Sequence, residues 1–147
     1  MKLSTRVRYG MRALVELAVR NNHHPVQLKD IAESQQISLP YLEHLVNPLI
    51  SAGIIKSTRG VRGGIELAKP PEKIKLKEIM EVLEGPLSPV HCLENEKSCP
   101  RSASCATRDV WNDMKRAMEN VLDSSTLQDL AERQRGKTTQ HATMYYI

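Results

Sequence analysis

Leu28-Lys29-Asp30-Ile31-Ala32-Glu33 and, after four intervening residues, Ser38-Leu39-Pro40-Tyr41-Leu42-Glu43-His44-Leu45 decide the fold of this chain. In the first stretch Leu28, Ile31 and Ala32 recur at i, i+3 and i+4, the spacing of one buried helical face. In the second, Ser38 can serve as N-cap, with Pro40 tolerated in the first turn. Leu42, Leu45, Val46, Leu49 and Ile50 then form an apolar stripe that ends before Gly53. Short helix, tight turn and longer capped helix make the helix-turn-helix pattern. Pro48 lies inside the second helix, where its missing N–H predicts a kink or an early end.

On the N-terminal side, Ser4 or Thr5 can cap a helix to about Arg20, with Val7, Met11, Leu14, Val15 and Ala18 as its buried stripe. Asn21-Asn22-His23-His24-Pro25 ends it as a polar turn. On the C-terminal side, Ile54 to Thr58 and Ile65 to Ala68 flank the tip Arg59-Gly60-Val61-Arg62-Gly63-Gly64. A hairpin directly after a helix-turn-helix is a wing. Leu76 to Leu83 is a further helix, stopped by Gly85-Pro86. Leu87 to Thr107 has no steady period and reads as a loop. A long helix follows from about Thr107 to Leu122, with Val110, Trp111, Met114, Ala117, Met118, Val121 and Leu122 along one side. Ser125 or Thr126 can cap a last short helix, Leu127 to Arg133, and the polar residues beyond read as a mobile tail. The expected class is mainly α with a small β-wing. It divides into a winged helix-turn-helix domain over 1–84, a loop over 85–106, helices over 107–133 and a tail over 134–147.

Composition limits what such a chain does. Phe is absent and aromatics are 3% of the 147 residues, so the core must be aliphatic, which suits helices. There is no apolar run of about 18 residues to span a membrane, and the N-terminus turns amphipathic at once, unlike a signal peptide. A cytoplasmic protein with reduced thiols is expected. Residues 1–69 hold ten Lys/Arg against five Asp/Glu, whereas residues 70–147 hold eleven against twelve. The positive balance therefore sits with the helix-turn-helix, as expected if that half meets phosphates. No Ser/His/Asp arrangement, phosphate-cradling loop or two-cysteine redox motif is visible, so an enzyme is not expected.

A recognition helix needs side chains near its N-terminus that reach base edges in the major groove. Ser38, Tyr41, Glu43 and His44 are the candidates; Glu43 can accept from a cytosine amino group, and His44 can serve bases or phosphates. In the wing, Gly60, Gly63 and Gly64 permit a tight approach, and Arg59 and Arg62 suit insertion toward the minor groove. Arg6 and Arg8 can clamp phosphates. The plainer alternative for each is an ordinary solvated face.

Cys92, Cys99 and Cys105 lie within fourteen residues, and the chain has no others. An odd, tight group is a poor disulfide plan but a good grip for an iron–sulfur cluster or another soft metal. Structural zinc prefers pairs two to four residues apart and four ligands, whereas the intervals here are six and five. Zinc and a thiol redox sensor forming one disulfide remain open as alternatives.

The chain resembles the bacterial Rrf2 family of winged-helix regulators, in the branch of the iron–sulfur assembly regulator IscR and the nitric-oxide sensor NsrR. The likeness is carried by Leu3-Ser4-Thr5, Arg8-Tyr9-Gly10-Met11-Arg12-Ala13-Leu14, Ile31-Ala32, Ser38 to Leu45, Ala52-Gly53-Ile54-Ile55, Ser57-Thr58-Arg59-Gly60, Gly63-Gly64 and the three cysteines. It implies a homodimer paired through the long helix after the cysteines, straddling a palindromic double-stranded DNA operator. It also implies a cluster on Cys92, Cys99 and Cys105, with 2Fe–2S favoured and 4Fe–4S as the other form. Two positions depart from the pattern. Arg108 stands where the assembly regulator has a histidine ligand, and Arg6 and Arg8 occupy the region where the nitric-oxide sensor offers an acidic one. His91, Glu94, Glu96, Asp109 or an external ligand could complete the set. The function expected is transcription regulation that senses iron, redox state or nitric oxide, with cluster loss freeing the loop and shifting the DNA reader.

Overall fold

The computed structural model describes residues 2–20 and 24–145. Helix α1 (Thr5–Arg20) starts as expected: the Val7 N–H donates to Ser4 Oγ at 3.3 Å. The polar turn expected after it falls mostly on 21–23, outside the described residues. Helices α2 (Leu28–Gln35) and α3 (Leu39–Ser51) form the helix-turn-helix, and strands β1 (Ile55–Thr58) and β2 (Gly64–Leu67) form the wing. Helix α4 (Leu76–Glu84) precedes a loop with three short 3₁₀ turns, then come α5 (Ala106–Asp123) and α6 (Leu127–Met144). This is the mainly helical winged fold that the sequence predicts.

The core is aliphatic. Leu14, Ile31, Leu42, Ile65, Ile79 and Leu127 are fully buried, drawing on α1, α2, α3, the wing, α4 and α6, with Ile54 and Ile74 just outside β1 and α4. Each such side chain stabilises the fold by about 1.5–3 kcal/mol relative to exposure. At Gly10 an added Cβ would lie 2.6 Å from Leu83 Cδ1, so glycine lets α1 and α4 approach closely. Glu16 is also buried on α1, a position that apolar periodicity does not reveal.

Three local expectations change. Pro48 neither kinks α3 to a halt nor shortens it; the helix runs to Ser51, and the Pro48 carbonyl accepts from Ala52 N–H at 3.0 Å. The proline lies one turn from the end, where losing one donor interrupts little. Ser38 occupies the N-cap position of α3 with no side-chain capping bond. The largest change is α6, which continues through Met144 instead of ending near Arg133, so residues 134–144 are helical. Its start is a reciprocal capping box between Thr126 and Asp129. Farther along, Arg135 Nη2 donates to the Ala18 and Val19 carbonyls at 3.1 Å each, tying α6 to the end of α1.

Candidate nucleic-acid interface and cysteine loop

The turn between α2 and α3 is set by Gln36, the C-cap of α2, which adopts the left-handed conformation with φ 54°. Ile37 N–H then donates to the Ala32 carbonyl at 2.9 Å. The end of α2 is fastened to α1 by a polar cluster. Glu16 accepts from Ser34 Oγ at 2.9 Å, Gln35 Nε2 at 2.6 Å and Arg20 Nε at 2.9 Å. Arg12 donates to Gln35 Oε1 at 2.9 Å and to its carbonyl at 2.7 Å. Every one of these charges is met by a partner, as a buried carboxylate requires.

Ser38, Glu43 and His44 are exposed on the N-terminal half of α3. Tyr41 is not free in the same way. Its hydroxyl donates to Thr5 Oγ1 at 3.1 Å, and its ring meets Tyr9 edge-on with centroids 6.1 Å apart. Tyr41 therefore braces α3 against α1. Tyr9 in turn lies under two cations, the Arg8 and Arg12 guanidinium carbons being 5.9 and 5.4 Å from its centroid. Arg6 and Arg8 are exposed beside it. Of this aromatic and basic cluster at the start of α1, sequence reasoning reaches Arg6 and Arg8 as phosphate clamps and misses Tyr9 and Arg12. The cluster's signal is the run Arg6, Arg8, Tyr9 and Arg12 at near-helical spacing.

The wing follows α3 directly. Its strands pair antiparallel from Ile55 opposite Leu67 to Thr58 opposite Gly64. The tip is a turn closed by Gly63 N–H on the Gly60 carbonyl at 2.9 Å, with Gly60 at φ 108°. A Cβ on Gly63 would stand 2.2 Å from the Thr58 carbonyl oxygen, so no other residue fits there without moving the backbone. Arg59, Gly60, Val61 and Arg62 all project into solvent from this fixed tip. At its base, Val26 and Ile65 exchange two backbone hydrogen bonds of 2.8 Å each, joining β2 to the segment that enters α2.

The cysteine loop is built by small polar side chains. Asn95 Oδ1 accepts from Lys97 N–H at 3.0 Å, Ser98 Oγ donates to the Asn95 carbonyl at 2.7 Å, and Ser102 Oγ donates to the Glu96 carbonyl at 2.9 Å. Cys92, Cys99 and Cys105 are free thiols, each half-buried. Cys105 is the N-cap residue of α5. A hydrogen bond with Thr107 Oγ1 at 3.1 Å, and then the Arg108 N–H, push its thiol below the ordinary range. Of the fourth-ligand candidates, Glu96 is committed to Arg108 Nη2 at 2.8 Å, and Glu94 lies 3.9 Å from His91 Nδ1. Arg108 Nε is buried with no hydrogen-bond partner.

The donor chemistry fits an iron–sulfur cluster in two respects. Three soft thiols share one loop, and the helix that ends the loop carries a buried N–H with no acceptor, at Arg108 Nε. The arrangement does not itself form a site. Among the described residues, no three His, Cys, Asp or Glu side chains are gathered to hold one metal ion.

Helix α5 continues from this loop with no buried residue along its eighteen. Val110, Trp111, Met114 and Val121 are exposed on it, and Lys77 of α4 holds its far end through Glu119 at 3.6 Å and Asp123 at 3.5 Å. Beside it runs an open apolar groove of about 630 Å³, lined by Leu3, Met80, Leu87, Met118, Val121 and Leu122 among others. Among the described residues no helix is long and apolar enough to cross a membrane.

A family model described as Rrf2, an iron-dependent transcriptional regulator, matches residues 3–133. The HTH-type transcriptional regulator CymR of Bacillus subtilis is 44% identical over 147 residues, covering all of both chains. The HTH-type transcriptional regulator NsrR of Bacillus licheniformis is 37% identical over 131 residues, covering 88% of this chain and 92% of that one. Among solved structures, that of CymR, titled the global cysteine regulator of B. subtilis, superposes with a TM-score of 0.77 over 90% of this chain and 98% of the other, at 44% identity. The T. potens IscR structure gives 0.74 at 41% identity, over 90% of this chain and 88% of that one.

Proposed function

Because the chain belongs to the Rrf2 family of transcriptional regulators, we propose that it is a homodimeric operator-binding protein governed by an iron–sulfur cluster on Cys92, Cys99 and Cys105. The observation that carries this reading is the placement of three free, half-buried thiols on one loop that ends at the N-cap of α5. When bound, a cluster supplies a group whose integrity depends on iron supply, redox state or nitric oxide. The chain's own residues supply the rest. Ser38, Glu43 and His44 face base edges, Tyr41 holds α3 in place, and Arg59 and Arg62 enter the minor groove from the turn at Gly60. The unburied apolar stripe of α5 pairs with that of a second copy, which sets two readers on a palindromic operator.

A second reading keeps the fold and the DNA site but senses through thiol oxidation. It is favoured by the ungathered sulfurs and by the lowered Cys105 thiol. Zinc in the same loop would serve as a third loading, with the same shortage of a fourth donor.

Anaerobic purification and reconstitution separate these readings. The cluster reading expects coloured protein with matched iron and sulfide, and loss of the visible absorption in Cys99→Ala. Colourless protein that takes up no iron, yet changes operator affinity on reversible oxidation, would establish the thiol reading instead. Sedimentation of the purified chain tests the homodimer.

A further inference from the structure

Arg108 occupies a position that neither reading of the cysteine loop requires to be basic. Its side chain is 23% exposed, although it lies in the first turn of an otherwise solvent-facing helix. One terminal nitrogen donates to Glu96 Oε1 at 2.8 Å. Glu96, though largely exposed, makes two links: its carbonyl accepts the Ser102 hydroxyl within the loop, and its carboxylate joins the loop to α5 through Arg108. The Arg108 N–H donates to the Cys105 carbonyl at 3.1 Å, which fixes its backbone in the turn that follows the last cysteine. Nε is shut away from water without an acceptor. A buried donor left unpaired is costly, and arginine keeps its charge whatever its surroundings.

We propose that Arg108 is the positioning residue of the cysteine loop, clasping it through Glu96 and keeping its Nε–H for an anionic sulfur acceptor. That acceptor is either a cysteine thiolate of the loop or the sulfide of a bound cluster. The inference rests on the cysteine loop being the sensor. It adds that Arg108 does not ligate metal but stabilises negative charge on sulfur. Lysine can replace the charge at this position, but not the fixed planar fork.

The test uses the full chain as parent, Arg108→Lys, Arg108→Ala and Glu96→Gln. Backbone hydrogen exchange over 92–105 is followed in the reduced, metal-free proteins, and iron release to a chelator in the anaerobically reconstituted ones. Arg108→Ala and Glu96→Gln should exchange the loop amides severalfold faster, with the exchange of α1–α4 unchanged. Arg108→Ala and Arg108→Lys should both release iron about tenfold faster, a change worth about 1.4 kcal/mol, whereas Arg108→Lys should retain most of the loop protection. If Arg108→Ala matches the parent in loop exchange, the clasp is refuted. If Arg108→Lys matches the parent in iron release, the Nε assignment is refuted. A parent that takes up no iron defeats the cluster reading alone. The acceptor is then a thiolate, and Arg108→Lys should slow alkylation of Cys92 or Cys105 by a neutral reagent; an unchanged rate overturns the Nε role in that case.

Discussion

The DNA reader and the α5 segment are both mainly helical, but only the reader, closed by Leu127 and Ala131 of α6, has a buried core. Helices α1–α4 and the wing supply nearly every fully buried side chain, and even their one buried carboxylate, Glu16, is fully partnered. Helix α5 buries no residue and presents Val110, Trp111, Met114 and Val121 to solvent. The contrast teaches that the reader's shape is fixed within one chain, while the segment that follows the cysteine loop leaves its apolar side uncovered. A large exposed apolar stripe is a marker of docking.

The contrast is broken most severely from the reader's side. Leu42→Ala should cost about 2–5 kcal/mol of stability in urea unfolding, since Leu42 has no exposure and its neighbours are packed. Val110→Ala on α5, by comparison, should stay within about 0.5 kcal/mol for the isolated chain. Gly63→Ala should reduce operator affinity at least about tenfold while leaving the unfolding midpoint nearly unchanged, because the clash with the Thr58 carbonyl is confined to the wing tip. Val121→Glu should leave the far-ultraviolet spectrum intact and shift sedimentation to the monomer; a variant that still self-associates places the contact elsewhere. Arg59→Ala should weaken binding to all sequences and reduce the salt-dependence slope by about 1.

The smallest effect concerns α6. Hydrogen bonds from the Thr126 N–H and hydroxyl hold the Asp129 carboxyl below the ordinary carboxylate range. Its contribution is therefore complete above the unfolded-state pKa and is lost as pH falls through the depressed folded value. Thr126→Ala should lower the melting temperature by a few degrees at neutral pH, and the gap should close in acid.

Much of this was legible in residue spacing, because apolar periodicity reports burial. It located α2, α3 and α4, and the glycines located the wing tip. It failed where polar contacts do the holding. Residues 134–144 have no apolar stripe, so nothing in their pattern announces a helix; the anchor is Arg135 reaching two carbonyls on α1. The start of α3 points to Tyr41, but its contacts with Thr5 and Tyr9 lie on α1, where no spacing within α3 reveals them. The cysteine spacing revealed the donors, but the placing of Glu96 against Arg108 depends on the fold of three short turns that no period encodes.

The paired hydrogen bonds between Val26 and Ile65 have an effect on how information can reach DNA. They stitch the wing to the segment feeding α2, so the wing and the helix-turn-helix keep one mutual orientation. In the homodimer proposed above, a signal acts on the separation and tilt of two such readers, a quantity that operators express as the number of base pairs between half-sites.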